Sequence, residues 1–225
     1  MAALLDTIGA PSVAVLGYSS GAPAALEFAR KYPNRTWALV LVSAITSRYN
    51  YYAVPHTEEP SSTVLTQLKG DIGSWLAVEM AQKDPGKLLN QVLTAEGNQS
   101  APGKRETVNY VLAHSEQLDW FRSLIGTFAP LSPREDGTRN DKTQIRAMAE
   151  IPFKDITVPV LMIHGAEDKF IPVATARAAA AKIPTVTFFE VAGAGHIPEL
   201  GPLGGEVQKK ITDFLRQYSG GQTQP

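Results

Sequence analysis

The stretch VAVLGYSSG, residues 13–21, decides the fold. Its apolar beginning, residues 13–16, ends abruptly in Gly-Tyr-Ser-Ser-Gly, and a helical pattern follows over residues 22–29. The stretch therefore predicts a β-strand, a sharp turn and an α-helix. The turn has the form G-x-S-x-G, in which small flanking residues let the backbones approach and leave Ser19 projecting above the sheet edge. The alternative is a glycine-rich turn without a chemical role.

Three further runs extend this unit along the chain. Residues 37–42 show no polar alternation, which is typical of a strand covered on both faces, and residues 158–163 and 186–191 are also rich in strand-forming residues. Helical patterns cover residues 173–182 and 206–218. Strands that alternate with helices predict an α/β fold with a doubly wound, mostly parallel sheet.

A long insertion of different character separates the second and third strands. We interpret it as an α-helical cap, residues 46–150, inserted into a core formed by residues 1–45 and 151–225. Its predicted helices cover residues 72–80, 88–93 and 107–128, with loops at residues 58–62 and 132–137.

Composition excludes several classes of function. The chain has 225 residues, 44% hydrophobic and 19% charged, with 21 Lys+Arg against 22 Asp+Glu. These values are typical of a globular protein, and no basic stripe is present to bind nucleic acid or an anionic membrane. Because cysteine is absent, disulfides, thiolate metal sites and a thiol nucleophile are excluded.

No export signal or membrane anchor is apparent. The longest apolar stretch, residues 37–44, is far shorter than the roughly 20 residues that span a bilayer, and the N-terminus lacks a basic, then apolar, leader. We therefore expect a cytoplasmic protein.

Two later loops contain the partners that a reactive serine needs. Asp168 follows the third strand directly, and His196 lies in a glycine-rich loop after the fourth. A histidine can take the proton from Ser19 and return it to a leaving group, while a carboxylate fixes its tautomer. The alternatives to Asp168 are its neighbour Glu167 or a purely structural role for either carboxylate, as a solvated loop residue or a helix cap.

Three other histidines compete with His196. His56 and His114 lie in the insertion, where a surface or packing role is the better interpretation, and His164 ends a buried strand, which favours a structural role. The chain order serine, acid, histidine is the one that α/β-hydrolases use.

Four segments together resemble a known family. They are VAVLGYSSG at 13–21, PNRTWALVLVSA at 33–44, VPVLMIHGAED at 158–168 and GHIP at 195–198. They resemble the C-terminal half of an α/β-hydrolase, in the capped serine-hydrolase branch (fold-1 group) that holds esterases, lactonases and carbon–carbon bond hydrolases. The resemblance covers about half of the chain. A serine at the turn argues against the epoxide hydrolase and haloalkane dehalogenase relatives, whose nucleophile is a carboxylate.

The resemblance implies a catalytic triad of Ser19, Asp168 and His196, with the Ser20 N–H as one oxyanion donor and without metal or organic cofactor. It also implies a sheet of eight strands, of which this sequence supplies the last four. We therefore expect an N-terminally truncated hydrolase that lacks the second oxyanion donor. Loss of one such donor weakens transition-state stabilisation by about 3 to 4 kcal/mol, which lowers kcat by about 10² to 10³. The first strand would then form an open apolar edge, through which two copies could pair.

The cap suggests the substrate. Its aromatic and aliphatic residues can roof a pocket over Ser19, although most of them are expected to pack the cap itself. The pocket candidates are Tyr18, Trp75, Met80, Trp120 and Phe121. We expect a small-molecule, apolar acyl substrate hydrolysed through an acyl-enzyme. The alternatives are a catalytically weak or inactive α/β-hydrolase-like binding module and, among enzymes, a carbon–carbon hydrolase, lactonase, thioesterase or acyltransferase.

Overall fold

The sheet at the centre of the molecule is built from the four predicted runs. The computed structural model describes residues 2–49, 64–96 and 100–219. The strands are β1 (Val13–Tyr18), β2 (Thr36–Val42), β3 (Val160–Gly165) and β4 (Val186–Val191). All neighbouring strands are parallel, and their order in space, β1-β2-β3-β4, is their order in the chain. The predicted α/β fold is confirmed.

This strand order determines where the helices lie. Successive right-handed crossovers that step in one direction place their helices on one face of a sheet. Accordingly α2 (Ala22–Lys31) and α8 (Val173–Ala180) share a core on one face, which the short α1 (Ala2–Thr7) joins through Leu5. The last helix, α9 (Gly204–Ser219), packs Val207 and Phe214 on the other face. The sheet is thus covered on both sides, which explains its unbroken apolar strands.

β1 is an outer strand of this sheet. It pairs with β2 on one side, and its Leu16 side chain is 55% exposed. Leu4 and Ile8 in the preceding segment are also exposed. The open apolar edge expected from the sequence is therefore present in the described sheet. Pairing of two copies through this edge stays a prediction.

Helices fill the insertion between β2 and β3. In the described ranges they are α3 (Val64–Lys83), α4 (Pro85–Glu96), α5 (Ala101–Ala113), α6 (Ser115–Gly126) and α7 (Glu135–Ala147). Leu89, Val111 and Phe121 form the centre of a cap core that also includes Ile197 and Leu200 from the segment after β4. The cap therefore packs directly on the loop that carries His196. Over the described ranges, every helix is too short or too polar to span a bilayer.

The cap departs from the sequence expectation in two places. The helix predicted over residues 107–128 is two helices, because His114 adopts an extended backbone between them and its Nδ1–H donates to the Tyr110 carbonyl at 2.7 Å. The loop predicted at 132–137 is a 3-10 turn that runs into α7, which ion pairs of Arg139 with its first turn stabilise. The loop predicted at 58–62 lies outside the described residues.

Candidate active site

The turn after β1 places Ser19 at the carboxyl edge of the sheet. A Cβ atom on Gly17 would lie 2.7 Å from Ala25 Cβ and 2.9 Å from Ala22 Cα, so glycine is what lets α2 pack against β1. Ser19 itself has φ of 49°, a left-handed conformation that is costly for a residue with a side chain. The surrounding packing holds this strained turn, which directs the serine away from the sheet.

Asp168 lies in the loop after β3, at the same edge. Its side chain is buried, and its Oδ1 atom accepts a hydrogen bond from the Ile171 N–H at 2.8 Å. Burial would raise the pKa of Asp168, but hydrogen bonds from His164 and His196, with the charge of His196, outweigh it and hold the pKa below its usual value. The carboxyl group is therefore ionised at neutral pH.

His196 joins the other two side chains. Its Nδ1 atom lies 2.8 Å from Asp168 Oδ2, and its Nε2 atom lies 3.0 Å from Ser19 Oγ. Because the ionised carboxylate can only accept, Nδ1 carries the hydrogen in the neutral ring and Nε2 is free to accept from the serine hydroxyl. The structure thus brings the three predicted residues into one hydrogen-bonded relay that can remove the Ser19 proton.

The backbone of the His196 loop is held tightly. Its carbonyl accepts hydrogen bonds from Ser43 Oγ at 2.7 Å and from the Tyr18 hydroxyl at 3.1 Å. On its other side, a Cβ atom placed on Gly165 would lie only 2.0 Å from the Gly195 carbonyl oxygen. The loops that carry the acid and the base are therefore in direct backbone contact.

The competing candidates lie elsewhere or have other contacts. The Glu167 carboxylate accepts from the Ser100 N–H of the cap at 3.1 Å, and His114 stacks on Tyr110. His56 lies outside the described residues. His164 is fully buried with its Nε2 atom 3.2 Å from Asp168 Oδ2, so it contacts the relay, although the sequence indicated only a structural role.

A cavity of about 680 Å³ opens above Ser19 between the sheet and the cap. Tyr18 and Trp120, two of the pocket candidates from the sequence, line it, and so does Ser20, the expected oxyanion donor. Its apolar lining comes from cap helices and from the loops after β3 and β4: Ala77, Leu88, Val92, Leu124, Ile125, Phe128, Phe170 and Ile197.

Three residues expected in the pocket are not among those that line it. Trp75 is 57% exposed at the cap surface, because it lies about 100° around α3 from the lining residue Ser74. Phe121 is fully buried and Met80 partly buried within the cap core. The expectation that these three side chains face the substrate is therefore wrong.

Glu199 is a lining residue that sequence reasoning missed. Its carboxyl group is buried, and its Oε2 atom lies 3.2 Å from the Tyr18 hydroxyl, which shares its one hydrogen between Glu199 and the His196 carbonyl. Burial raises the pKa of Glu199, and hydrogen bonds from its own N–H and from Tyr18 offset this only in part. Its position three residues after His196 was the one available signal. Among the residues that the structure describes, no cluster of His, Asp and Glu could hold a metal ion.

Comparisons with known proteins agree with this architecture. No curated protein matches the chain. A solved α/β hydrolase fold protein from Nakamurella multipartita superposes with a TM-score of 0.83 and 27% identity, covering 96% of this chain and 73% of that one. An esterase from Thermogutta terrifontis, in a malate-bound structure, superposes with a TM-score of 0.60 and 20% identity over 96% of this chain and 70% of its own. An esterase from Exiguobacterium antarcticum superposes with a TM-score of 0.53 and 16% identity, covering 96% of this chain and 69% of that one.

The family model of the α/β hydrolase fold matches residues 1–200, which include the turn at Ser19, the acid loop and the histidine loop. This match covers most of the chain. The parallel sheet with helices inserted between β2 and β3 agrees with it. This chain belongs to the α/β-hydrolase fold family.

Proposed function

We propose that this protein is a serine hydrolase that cleaves a carboxylic ester or a related acyl compound through an acyl-enzyme. The observation that carries the proposal is the relay from Ser19 through His196 to Asp168, with hydrogen bonds of 3.0 and 2.8 Å beneath a cavity of about 680 Å³. Membership of a hydrolase family supports the same class of reaction.

In the first half of the reaction, the Ser19 oxygen attacks the carbonyl carbon of the substrate while His196 Nε2 takes the hydroxyl proton. Asp168 accepts the Nδ1–H and stabilises the imidazolium that forms. The tetrahedral intermediate collapses, the bond from the acyl carbon to the leaving oxygen breaks, and His196 gives its proton to that oxygen. The alcohol leaves, and the acyl group stays on Ser19.

In the second half, water attacks the acyl-enzyme as His196 takes one of its protons. The bond between the acyl carbon and the Ser19 oxygen breaks, and the proton on His196 returns to that oxygen. The products are the carboxylic acid and the free serine. If an alcohol took the place of water, the same residues would perform acyl transfer.

The Ser20 N–H is the proposed donor to the negatively charged oxygen of both tetrahedral intermediates. Ser20 lines the cavity and lies in the helical turn Ser19–Gly21 that leads into α2. The first N–H groups of a helix lack acceptors within it and lie at its positive end, so they are suited to stabilise an anion. Loss of one such donor costs about 10² to 10³ in kcat.

The lining of the cavity indicates the acyl group. Among the lining residues that the structure describes, most are aliphatic or aromatic and none is lysine or arginine. The nearby Glu199 carboxyl also disfavours an anionic acyl group, since ionisation of two buried carboxylates in one pocket is unfavourable. The acyl group that fits is therefore small to medium, apolar or aromatic, and uncharged.

A fluorophosphonate probe tests the nucleophile. We expect it to label the folded protein at Ser19, and we expect Ser19→Ala to abolish labelling. The matched control Ser123→Ala removes an exposed serine of the cap and leaves labelling unchanged. If the folded wild-type protein resists the probe and hydrolyses p-nitrophenyl acetate no faster than Ser19→Ala does, the binding-module alternative replaces this proposal.

A series of p-nitrophenyl esters tests the substrate class. We expect kcat/KM to be larger for butyrate, hexanoate and benzoate than for a succinate half-ester of similar size, because the described lining residues include no lysine or arginine to balance a charged acyl group. Equal values for neutral and anionic acyl groups would contradict the assignment of the pocket. Lactones and carbon–carbon bonded diketones, assayed on the same protein, separate the remaining hydrolase activities.

A further inference from the structure

A second histidine touches the carboxyl group of Asp168 from inside the protein. His164 ends β3, its side chain is fully buried, and its Nε2 atom lies 2.8 Å from the Ile171 carbonyl oxygen and 3.2 Å from Asp168 Oδ2. A carbonyl oxygen can only accept, so Nε2 carries the hydrogen and shares it between the carbonyl and the carboxylate. Asp168 Oδ2 thus accepts a hydrogen bond from His196 Nδ1 and has His164 Nε2 as a second, longer contact.

The other nitrogen of His164 is unusual. Its Nδ1 atom is buried and has no hydrogen-bond partner among the described residues. A buried polar atom without a partner destabilises the folded state, and an apolar side chain of similar size would avoid that cost. Packing alone therefore does not account for a histidine at this position, whereas the Nε2–H, which reaches both the Ile171 carbonyl and the carboxylate, does.

We propose that His164 is a positioning residue that fixes the orientation of the Asp168 carboxylate toward His196. This inference rests on the function proposed for Ser19, His196 and Asp168. The Ile171 N–H holds Oδ1 at 2.8 Å, and Oδ2 lies between His196 Nδ1 at 2.8 Å and His164 Nε2 at 3.2 Å. The His196 ring takes up and gives back a proton in each turnover, so the buried His164 ring is the neighbour of Oδ2 that stays fixed. His164 therefore keeps Oδ2 directed at His196 Nδ1 in every turnover.

The charge of Asp168 depends on the same contact. The hydrogen bond from His164 is the largest influence that lowers the pKa of this buried carboxyl group. Glu190 on β4 is the register partner of His164 on β3 and forms an ion pair with Arg177 on α8. His196 and the Tyr49 hydroxyl are further titratable groups that interact with Asp168. The N–H of His164 thus supports the Asp168 anion.

Substitutions that differ in one donor test the proposal. In His164→Gln the terminal amide nitrogen reaches about as far as Nε2 and retains a donor, whereas His164→Leu removes it. We expect His164→Leu to lower kcat for a p-nitrophenyl ester by about 10- to 100-fold at unchanged KM, the factor that corresponds to one hydrogen bond to a charged group. His164→Gln is expected to recover most of the loss. The control is Ile163→Val, an equally buried neighbour on β3, which leaves kcat unchanged.

A spectroscopic measurement separates positioning from general stability and needs no turnover. The proton of His196 Nδ1 in its hydrogen bond to Asp168 gives a downfield proton NMR resonance. We expect this resonance to broaden in His164→Leu and to persist in His164→Gln and Ile163→Val. Should His164→Leu fail to fold, His164→Asn replaces it, because its shorter amide does not reach the carboxylate.

The proposal is overturned if His164→Leu, or His164→Asn in its place, keeps both the wild-type kcat and the wild-type resonance. It is also overturned if His164→Gln loses as much as the variant without the donor. If the wild-type protein neither reacts with fluorophosphonate nor hydrolyses esters, the proposed function fails, and the resonance alone then decides whether His164 orders the carboxylate.

Discussion

Gly165 offers a sharp test of how closely the two loops of the candidate site are coupled. It is the last residue of β3, and the backbone of residues 194 and 195 lies directly over it. The Glu167 N–H donates to the Ala194 carbonyl at 2.9 Å, so the loops are also joined by a hydrogen bond. The perturbation we consider is the addition of one methyl group, Gly165→Ala.

The structure gives the size of the effect. The added Cβ would lie 2.0 Å from the Gly195 oxygen and 2.5 Å from the Ala194 oxygen, where contacts under 3.0 Å are essentially never observed. The residue before His196 must therefore move by about 1 Å, and both obstructing atoms belong to the backbone. A misplacement of about 1 Å can cost roughly 10² in rate, and an overpacked methyl group typically costs about 1–3 kcal/mol of stability.

The assay compares kcat/KM for p-nitrophenyl acetate and the urea midpoint of Gly165→Ala with those of the wild type. We expect kcat/KM to fall by about 10²-fold and unfolding to require about 1–3 kcal/mol less. The matched control is Gly126→Ala at the end of α6, where an added Cβ meets nothing within 4 Å. If Gly165→Ala keeps the wild-type kcat/KM and midpoint, the reasoning that the loops are rigidly coupled is refuted.

Three further predictions follow from the described contacts. Asp168→Asn is expected to lower kcat by about 10⁴-fold in a folded protein, because the amide favours the wrong tautomer of His196. Circular dichroism checks the fold and ester kinetics measure kcat, and a loss below about 10-fold contradicts the prediction. Phe121→Ala is expected to lower the free energy of unfolding by about 3–5 kcal/mol, since Phe121 is fully buried in the cap. Urea denaturation measures this free energy, and a loss near zero would show that the cap unfolds separately from the sheet. Burial raises the pKa of Glu199, so its protonated form favours folding at acid pH and this contribution is lost as pH rises through the folded-state pKa. Glu199→Gln does not titrate at this position, so its melting temperature is expected to gain on that of the wild type as pH rises above 4.5, the ordinary pKa of glutamate. A difference that does not grow with pH argues against a buried acid.

The sequence predicts the sheet well because buried parallel strands are continuous apolar runs. Their ends depend on hydrogen bonds that apolar periodicity does not report. The run at 158–163 begins two residues later as β3, since Pro159 has no N–H to donate. β1 extends to Tyr18 because Gly17 and Tyr18 still pair with Leu41 and Val42 on β2.

The cap is harder to predict because its helices do not follow a simple apolar pattern. α7 has one buried residue, Ile145, and ion pairs of Arg139 with Glu135 and Asp136 support its first turns. The break at His114 carries neither proline nor glycine; a side chain that bonds to the preceding turn marks it instead. Local apolar periodicity contains no signal for either feature.

In the candidate site, the positions of the three relay residues are predictable from sequence, whereas the cavity lining is not. Ser19, Asp168 and His196 follow three strands of one parallel sheet, so topology alone brings their loops to one edge. The cavity lining depends on how each cap helix is rotated about its axis, which sequence does not specify. For this reason Trp120 lines the cavity and Trp75 faces solvent, although both are large aromatic residues of the same cap.

The spacing of the relay in the chain has a consequence for folding. Ser19 and His196 are 177 residues apart, and the whole cap is synthesised between the serine and its two partners. The loop-closure entropy of such a distant contact is overcome only when all four strands pair, so a collapsed intermediate has no activated serine. Under the proposed function, the rate at which Ser19 becomes reactive during refolding therefore reports completion of the native topology rather than formation of helices.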